Sequence, residues 1–293
     1  MNKTFEEKVE VAKKIRASGK TSKIPKECED YMEKVDIEDC HCMTRNGDTH
    51  YYLIKPKQKK ALAPLILNLH GGGFCQGHAR RDNIFSAIIA CKTGAVVIDL
   101  DYMLAPEHPF PIAYQEGYDL LKWAYEHADA LGVDKTKFVT CGHSAGGNLA
   151  AVIAMEAVRT KEFKIRLEIL DYPPTDMVTD PADKPETDLT PSVLERLRAF
   201  NSLYTDEPGN PYVSIVLAPP ETLKDMPETL VITAGHDMLH YEGEKFAFKL
   251  ADAGVKVTMK KFINSVHGFV IYCIGDEWQK AHDLIVETIC NIK

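Results

Sequence analysis

No stretch of the 293 residues comes near the 18 or more consecutive apolar side chains that a membrane-spanning helix needs. The clearest apolar runs, Leu65 to Leu67 and Ala95 to Ile98, are strand-sized. Basic charge is also in short supply. The 35 Lys and Arg face 43 Asp and Glu, a formal charge of −8. Such a surface repels phosphate backbones and anionic bilayers, so neither nucleic acid nor a membrane is an expected partner. Cysteine is sparse and scattered, at 28, 40, 42, 75, 91, 141, 273 and 290. A disulfide scaffold is excluded, and reduced thiols in a cytoplasmic protein are expected. The opening segment MNKTFEEKVEVAKKIR alternates charge and has no apolar stretch of the kind a secretory leader carries. What remains, 45% hydrophobic and 27% charged, is ordinary globular composition, in a chain long enough to bury a full core.

Periodicity supplies the organisation. Phe5, Val9, Ala12 and Ile15 share one helical face, and a charged linker is expected from there through Glu33. Strands are expected over Val35–Met43 and His50–Ile54, joined by the Asn46-Gly47 turn, as an antiparallel edge. Beyond them, apolar strands alternate with long helices. The strands are Pro64–Leu69, Ala95–Asp101, Lys137–Cys141, Arg166–Leu170, Thr229–Ala234 and Val255–Phe262. The helices are Asp82–Lys92, Ile112–Leu131, Ser144–Thr160, His240–Ala253 and Asp276–Ile289. That alternation predicts an α/β fold with a mostly parallel central sheet covered by helices on both faces. One segment breaks the pattern. Between Pro173 and Pro220 lie nine of the sixteen prolines, with eight acids against three bases. Its centre, Ser192–Tyr204, reads as an amphipathic helix, which favours a lid over a linker.

The chemistry concentrates at strand ends. Gly142-His143-Ser144-Ala145-Gly146 matches G-x-S-x-G where a strand meets a helix. A sharp turn there needs glycine at the flanks, and it lifts the serine hydroxyl above the sheet at a helix N-terminus. His70-Gly71-Gly72-Gly73 follows the strand Pro64–Leu69. Three glycines let backbone N–H groups turn inward and, with the N–H of Ala145, stabilise an acyl-transfer oxyanion. The pattern completes no phosphate-binding motif. A serine nucleophile needs a base and an orienting acid. Asp237 and His267 each follow a late strand, in that order, on the side where open parallel sheets place their sites. His282 and Asp252 fall on helix bodies and are weaker candidates.

These residues carry a family resemblance. HGGGF at 70–74, GHSAGGNLA at 142–150, DYMLAPEHPFP at 101–111, and Asp237 with His267-Gly268-Phe269 together resemble the hormone-sensitive-lipase-like branch of α/β-hydrolases, the bacterial class IV carboxylesterases. The resemblance spans roughly residues 65 to 270. It implies an α/β-hydrolase fold and an acyl-enzyme mechanism on Ser144, with oxyanion donors at Gly72, Gly73 and Ala145. It also implies a small helical cap built from the N-terminal segment 1–34 and the insertion 173–220, over a core of 35–172 and 221–293. Three features depart from the family. His143 stands where an Asp usually precedes the nucleophile, Met103 replaces the usual Arg, and the cap is short.

The expected activity is therefore hydrolysis of small, short-acyl esters such as acetyl esters. An amidase, arylformamidase or small peptidase on the same triad is the alternative, and a ligand-binding receptor without catalysis is a more distant one. His143 is a candidate substrate contact or a tolerated variant. Tyr31, Phe74, Tyr102, Tyr172 and Tyr204 are candidates to line the pocket, with core packing the equal alternative for each. Cys75 and Cys141 read as small buried hydrophobes. Cys40-His41-Cys42 with Cys28 fits no common zinc spacing, so neither a metal nor an organic cofactor is expected. The partner is a small-molecule ester, and the chain is expected to be a monomer or homodimer.

Overall fold

The structure is a computed structural model that describes residues 3–18, 23–58, 62–185 and 189–292. The first helix, α1 (Phe5–Ala17), is opened by a reciprocal cap. The Thr4 hydroxyl accepts the Glu7 N–H at 3.3 Å, and the Glu7 carboxylate accepts the Thr4 N–H at 2.8 Å. The stretch expected as a charged linker is not one throughout: it holds a short helix α2 (Lys26–Glu29) and a 3-10 turn over Asp30–Lys34.

An antiparallel pair follows, β1 (Val35–Thr44) and β2 (Gly47–Pro56), turning at Arg45-Asn46 with Gly47 at φ 115°. Next come β3 (Ala63–Leu69), α3 (Arg80–Thr93), β4 (Val96–Asp101) and α4 (Ile112–Glu126). The single helix expected to Leu131 breaks at His127, whose ring Nδ1 and backbone N–H both turn back to the Trp123 carbonyl; α5 (Ala128–Leu131) then runs to Gly132. The chain continues through β5 (Val133–His143), α6 (Ala145–Thr160), β6 (Leu167–Asp171), α7 (Pro191–Tyr204) and α8 (Pro220–Leu223). It finishes with β7 (Glu228–His236), α9 (His240–Asp252), β8 (Val257–Val266), α10 (Phe269–Tyr272) and α11 (Trp278–Cys290).

The eight strands form one sheet in the order β1-β2-β4-β3-β5-β6-β7-β8. Among the described residues, β1–β2 and β2–β4 pair antiparallel and the other five pairings are parallel. Side chains alternate across the pleat, so each central strand feeds two cores. Leu65, Leu67 and Leu69 pack with Leu120 and Leu121 of α4, Leu149, Val152 and Ile153 of α6, and Phe246 of α9. Ile66, Val97, Val139, Ile169 and Ile232 pack with Ile84, Phe85 and Ile88 of α3 and Trp278 and Ile285 of α11. Each such side chain contributes about 1.5–3 kcal/mol on burial. Cys28 of α2 and Val35 join this second core, with Tyr31 and Met32 packed against it.

A third, small cluster lies outside both cores, although α7 also sends Tyr204 into the first core. Ala12 and Ile15 of α1 form a small separate cluster with Cys75 and with Leu203 of α7. Arg16 extends the contact: it donates to the carbonyl oxygens of Cys75 and Ala105 and forks onto the Glu107 carboxylate. The long insertion is tied at its base by Asn148 of α6, whose amide donates at 2.9 Å to the carbonyls of both Pro174 and Val213.

Candidate active site

Ser144 stands between β5 and α6 at φ 53°, ψ −119°, a conformation that L-residues avoid. The flanking glycines explain how the chain tolerates it. A Cβ on Gly142 would lie 2.0 Å from the Gly146 carbonyl oxygen, and one on Gly146 would lie 2.0 Å from that of Leu69. The Ser144 N–H donates to the backbone oxygen of Asp171 at 2.8 Å, pinning the turn to β6.

The candidate acid and base arrive from the ends of β7 and β8, with β6 standing between them and β5. His267 follows β8 and places Nε2 2.9 Å from Ser144 Oγ. Its Nδ1 lies 2.7 Å from Asp237 Oδ2. Asp237 follows β7 and is buried, and its second oxygen accepts the Leu239 N–H at 3.0 Å. His267 is 41% exposed, so the relay has a wet end at the histidine and a dry end at the acid. A base in hydrogen-bond reach of a hydroxyl, itself held by a buried carboxylate, is the arrangement that activates a serine nucleophile.

The glycine loop after β3 crosses in front of the serine. Gly72 and Gly73 take φ 126° and 59°, and a Cβ on Gly71 would lie 3.4 Å from the Ser144 Cβ. The Gly72 carbonyl is spent on the N–H groups of Cys75 and Gln76. Among the described residues none accepts from the N–H groups of Gly72, Gly73 or Ala145. His70 anchors the loop. It is buried, stacks on Tyr102 at 4.0 Å, and meets the Gly71 oxygen at 2.8 Å, while the Tyr102 hydroxyl donates to the His70 carbonyl. Burial holds the His70 imidazole below its ordinary pKa.

The three candidate substrate contacts do not lie open to a cleft. His143 is 1% exposed; its Nδ1 meets Asp171 Oδ2 at 2.7 Å, and its ring packs edge-on to Phe85 of α3. Burial raises the Asp171 pKa, opposed by the hydrogen bond and charge of His143. The residue that replaces the usual acid thus faces the core behind the nucleophile. Tyr172, at φ 41°, is buried with its ring edge-on to His267 at 4.9 Å; it backs the candidate base. Phe74, at φ 62°, is stacked on Tyr204 of α7 at 3.7 Å. These positive φ values turn both aromatics inward, which a pattern of residue types does not report. Tyr31 packs with the second core under Lys34, and Tyr102 under the glycine loop. Cys75 and Cys141 are fully buried, and burial pushes the Cys75 thiol up to about 12.

Sequence reasoning missed three residues that shape this site. Asp171 holds both His143 and the Ser144 N–H. Phe200 of α7 points at the glycine loop so closely that a Cβ on Gly73 would lie 2.3 Å from its ring. Arg16 ties α1 to the 101–111 segment, where the Met103 N–H donates to the Glu116 carboxylate at 2.7 Å. Only Asp171 had a signal, as the acid ending a strand beside the turn.

Comparison with known proteins places the site in context. A family model described as the alpha/beta hydrolase fold matches residues 66–271. The chain is 34% identical to Esterase LipI of Mycobacterium tuberculosis over 221 residues, covering 73% of this chain and 68% of that protein. The crystal structure of EstE1, a thermostable carboxylesterase cloned from a metagenomic library, superposes with a TM-score of 0.83 at 28% identity over 98% of each chain. The hyperthermophilic esterase of Pyrobaculum calidifontis superposes with a TM-score of 0.81 at 30% identity, over 97% of this chain and 93% of that one.

Proposed function

Because this chain belongs to the α/β-hydrolase family and is a carboxylic ester hydrolase, we propose that it is a serine esterase for short-acyl esters, acting through Ser144, His267 and Asp237. The observation that carries the reading is the unbroken relay from Ser144 Oγ through His267 to buried Asp237, at 2.9 and 2.7 Å. His267 accepts the serine proton as Oγ attacks the ester carbonyl. Asp237 fixes the imidazole so that Nε2 is the accepting nitrogen, and it stabilises the imidazolium that forms. The N–H groups of Gly72, Gly73 and Ala145 receive the charge developing on the carbonyl oxygen. The alcohol leaves with the proton from His267. Water, deprotonated by the same imidazole, then releases the acid from the serine.

The cap supports the preference for small acyl groups. The α1–α7 cluster closes on Cys75, Phe200 abuts Gly73, and Phe74 and Tyr204 fill the space beside them with stacked rings. In this reading α1 and the 173–220 insertion are the cap, while residues 26–34 belong with the core under α3.

The test is hydrolysis of p-nitrophenyl esters from C2 to C12 by wild type and Ser144→Ala. The expected result is a preference for C2 to C6 and near-complete loss of turnover in the variant. Activity rising toward C12 would overturn the short-acyl assignment, and a fully active Ser144→Ala would overturn the nucleophile. Turnover of N-formyl or aminoacyl amides in preference to every ester would move the activity to amide hydrolysis.

A further inference from the structure

The edge of the sheet carries a cluster of imidazoles and carboxylates that the esterase reading does not use. His41 of β1 and His50 of β2 are direct cross-strand partners, with ring centroids 5.0 Å apart. Asp39 lies two residues before His41 and so shares its face. Its Oδ1 is 3.0 Å from His50 Nε2 and 3.9 Å from His41 Nε2. The two ring nitrogens and the carboxylate oxygen all lie within 4.8 Å of one another. Zinc bonds of about 2.0–2.1 Å in a tetrahedral site set ligand atoms roughly 3.3 Å apart, so the three separations need to close by about 1.5 Å at most for the atoms to share one ion.

The other side of each ring makes this more than a surface cluster. His41 Nδ1 meets Asp48 Oδ2 at 2.9 Å, and His50 Nδ1 meets Asp101 Oδ2 at 3.1 Å. Each imidazole thus has one nitrogen held by its own carboxylate and the other turned to the common point. That is how metal-binding histidines are oriented, because the second hydrogen bond fixes the tautomer and raises the basicity of the ligating nitrogen. Strand alternation sends Cys40 and Cys42 to the opposite face, against the core, so the ligand set is N2O rather than thiolate.

We propose that Asp39, His41 and His50 form a binding site for a divalent transition-metal ion of the zinc type. Two imidazoles and one carboxylate select such ions over calcium or magnesium. Asp39 and His41 are 67% and 55% exposed, which leaves the remaining coordination positions to water. The ion bridges β1 to β2, and through Asp101 it abuts the strand end that leads into the segment beneath the glycine loop.

The test is calorimetric titration of Zn2+ into chelator-stripped protein without a polyhistidine tag. One equivalent is expected. His41→Gln and His50→Gln should each weaken binding at least tenfold, and Asp48→Asn about 10–100-fold. His267→Gln should bind as wild type, which separates this site from the candidate catalytic histidine. Co2+ should give d–d absorption without a thiolate charge-transfer band. A thiolate band, binding of less than half an equivalent, or unchanged affinity in both histidine variants would overturn the proposal. His41 is largely exposed, so its variant is expected to fold, and its metal-free ester turnover should equal that of wild type.

Discussion

Gly73→Ala tests the contact between the insertion and the glycine loop. Gly73 sits at φ 59°, where an L-residue costs about 1–2 kcal/mol. The new Cβ would lie 2.3, 2.5 and 2.7 Å from Cδ1, Cγ and Cε1 of Phe200. Ordinary carbon contacts are about 3.5–4.0 Å, so either the ring or the loop must retreat by roughly 1 Å or more. Misplacement on that scale costs about 10²-fold in turnover, and outright loss of an oxyanion donor costs about 2.7–4 kcal/mol, or 10²–10³ in kcat. The expected result with p-nitrophenyl acetate is a fall in kcat of about 10²-fold or more, with a much smaller change in KM. Phe200→Ala removes the obstructing ring and leaves only the left-handed strain. The double variant should therefore regain at least about tenfold in kcat over Gly73→Ala, while Phe200→Ala alone stays within a few-fold of wild type. If Gly73→Ala keeps wild-type kcat, the Gly73 N–H has no part in stabilising the transition state. If the double variant is no faster than the single, the clash with Phe200 is not the cause.

Other expectations can be checked on the same preparations. Asp237→Asn should lower kcat by about 10⁴, because the imidazole is then held in the wrong tautomer; a loss below tenfold would remove Asp237 from the relay. Burial pushes the Glu168 carboxyl up to about 8 against an ordinary 4.5, the Thr229 hydroxyl only partly opposing it. The native state then holds a proton that the unfolded chain releases, so its contribution to stability is full below 4.5 and declines as pH rises toward 8. Glu168→Gln should flatten urea-unfolding free energy between pH 5 and 8, by up to about 3–4 kcal/mol relative to wild type; an unchanged slope would refute the assignment. Arg16→Ala should lower the thermal midpoint by about 2–4 °C, for roughly 1 kcal/mol lost, and raise KM for the esters. An unaltered midpoint in a thermal scan would mean that α1 is not held through this side chain.

The backbone chemistry of the site was legible in the sequence. Gly142 and Gly146 are required because each Cβ would meet a carbonyl oxygen, and that steric demand survives as a residue pattern. The placing of Ser144, Asp237 and His267 after β5, β7 and β8, on one side of the sheet, follows from parallel topology in the same way. The direction of individual side chains was less legible. Phe74 and Tyr172 turn inward through positive φ, and His143 faces α3 because it ends a strand whose pleat alternates. Residue type reports none of this. Long-range partners were hidden for another reason. Arg16 and Glu107 are 91 positions apart, and neither sits in a periodic pattern that would mark the other. The kink at His127 depends on a ring bonding its own helix, which hydropathy does not see.

The double grip of Asn148 has a consequence for tolerance to change in chain length. One amide, on the helix that begins just after Ser144, clasps the chain both where the insertion departs, at Pro174, and again at Val213. The chain between Pro174 and Val213 is in effect a module plugged into a socket. Doubling the length of such a closed segment costs only about 0.6 kcal/mol in closure entropy. A longer segment held at the same two points therefore leaves the turn at Ser144 where it is.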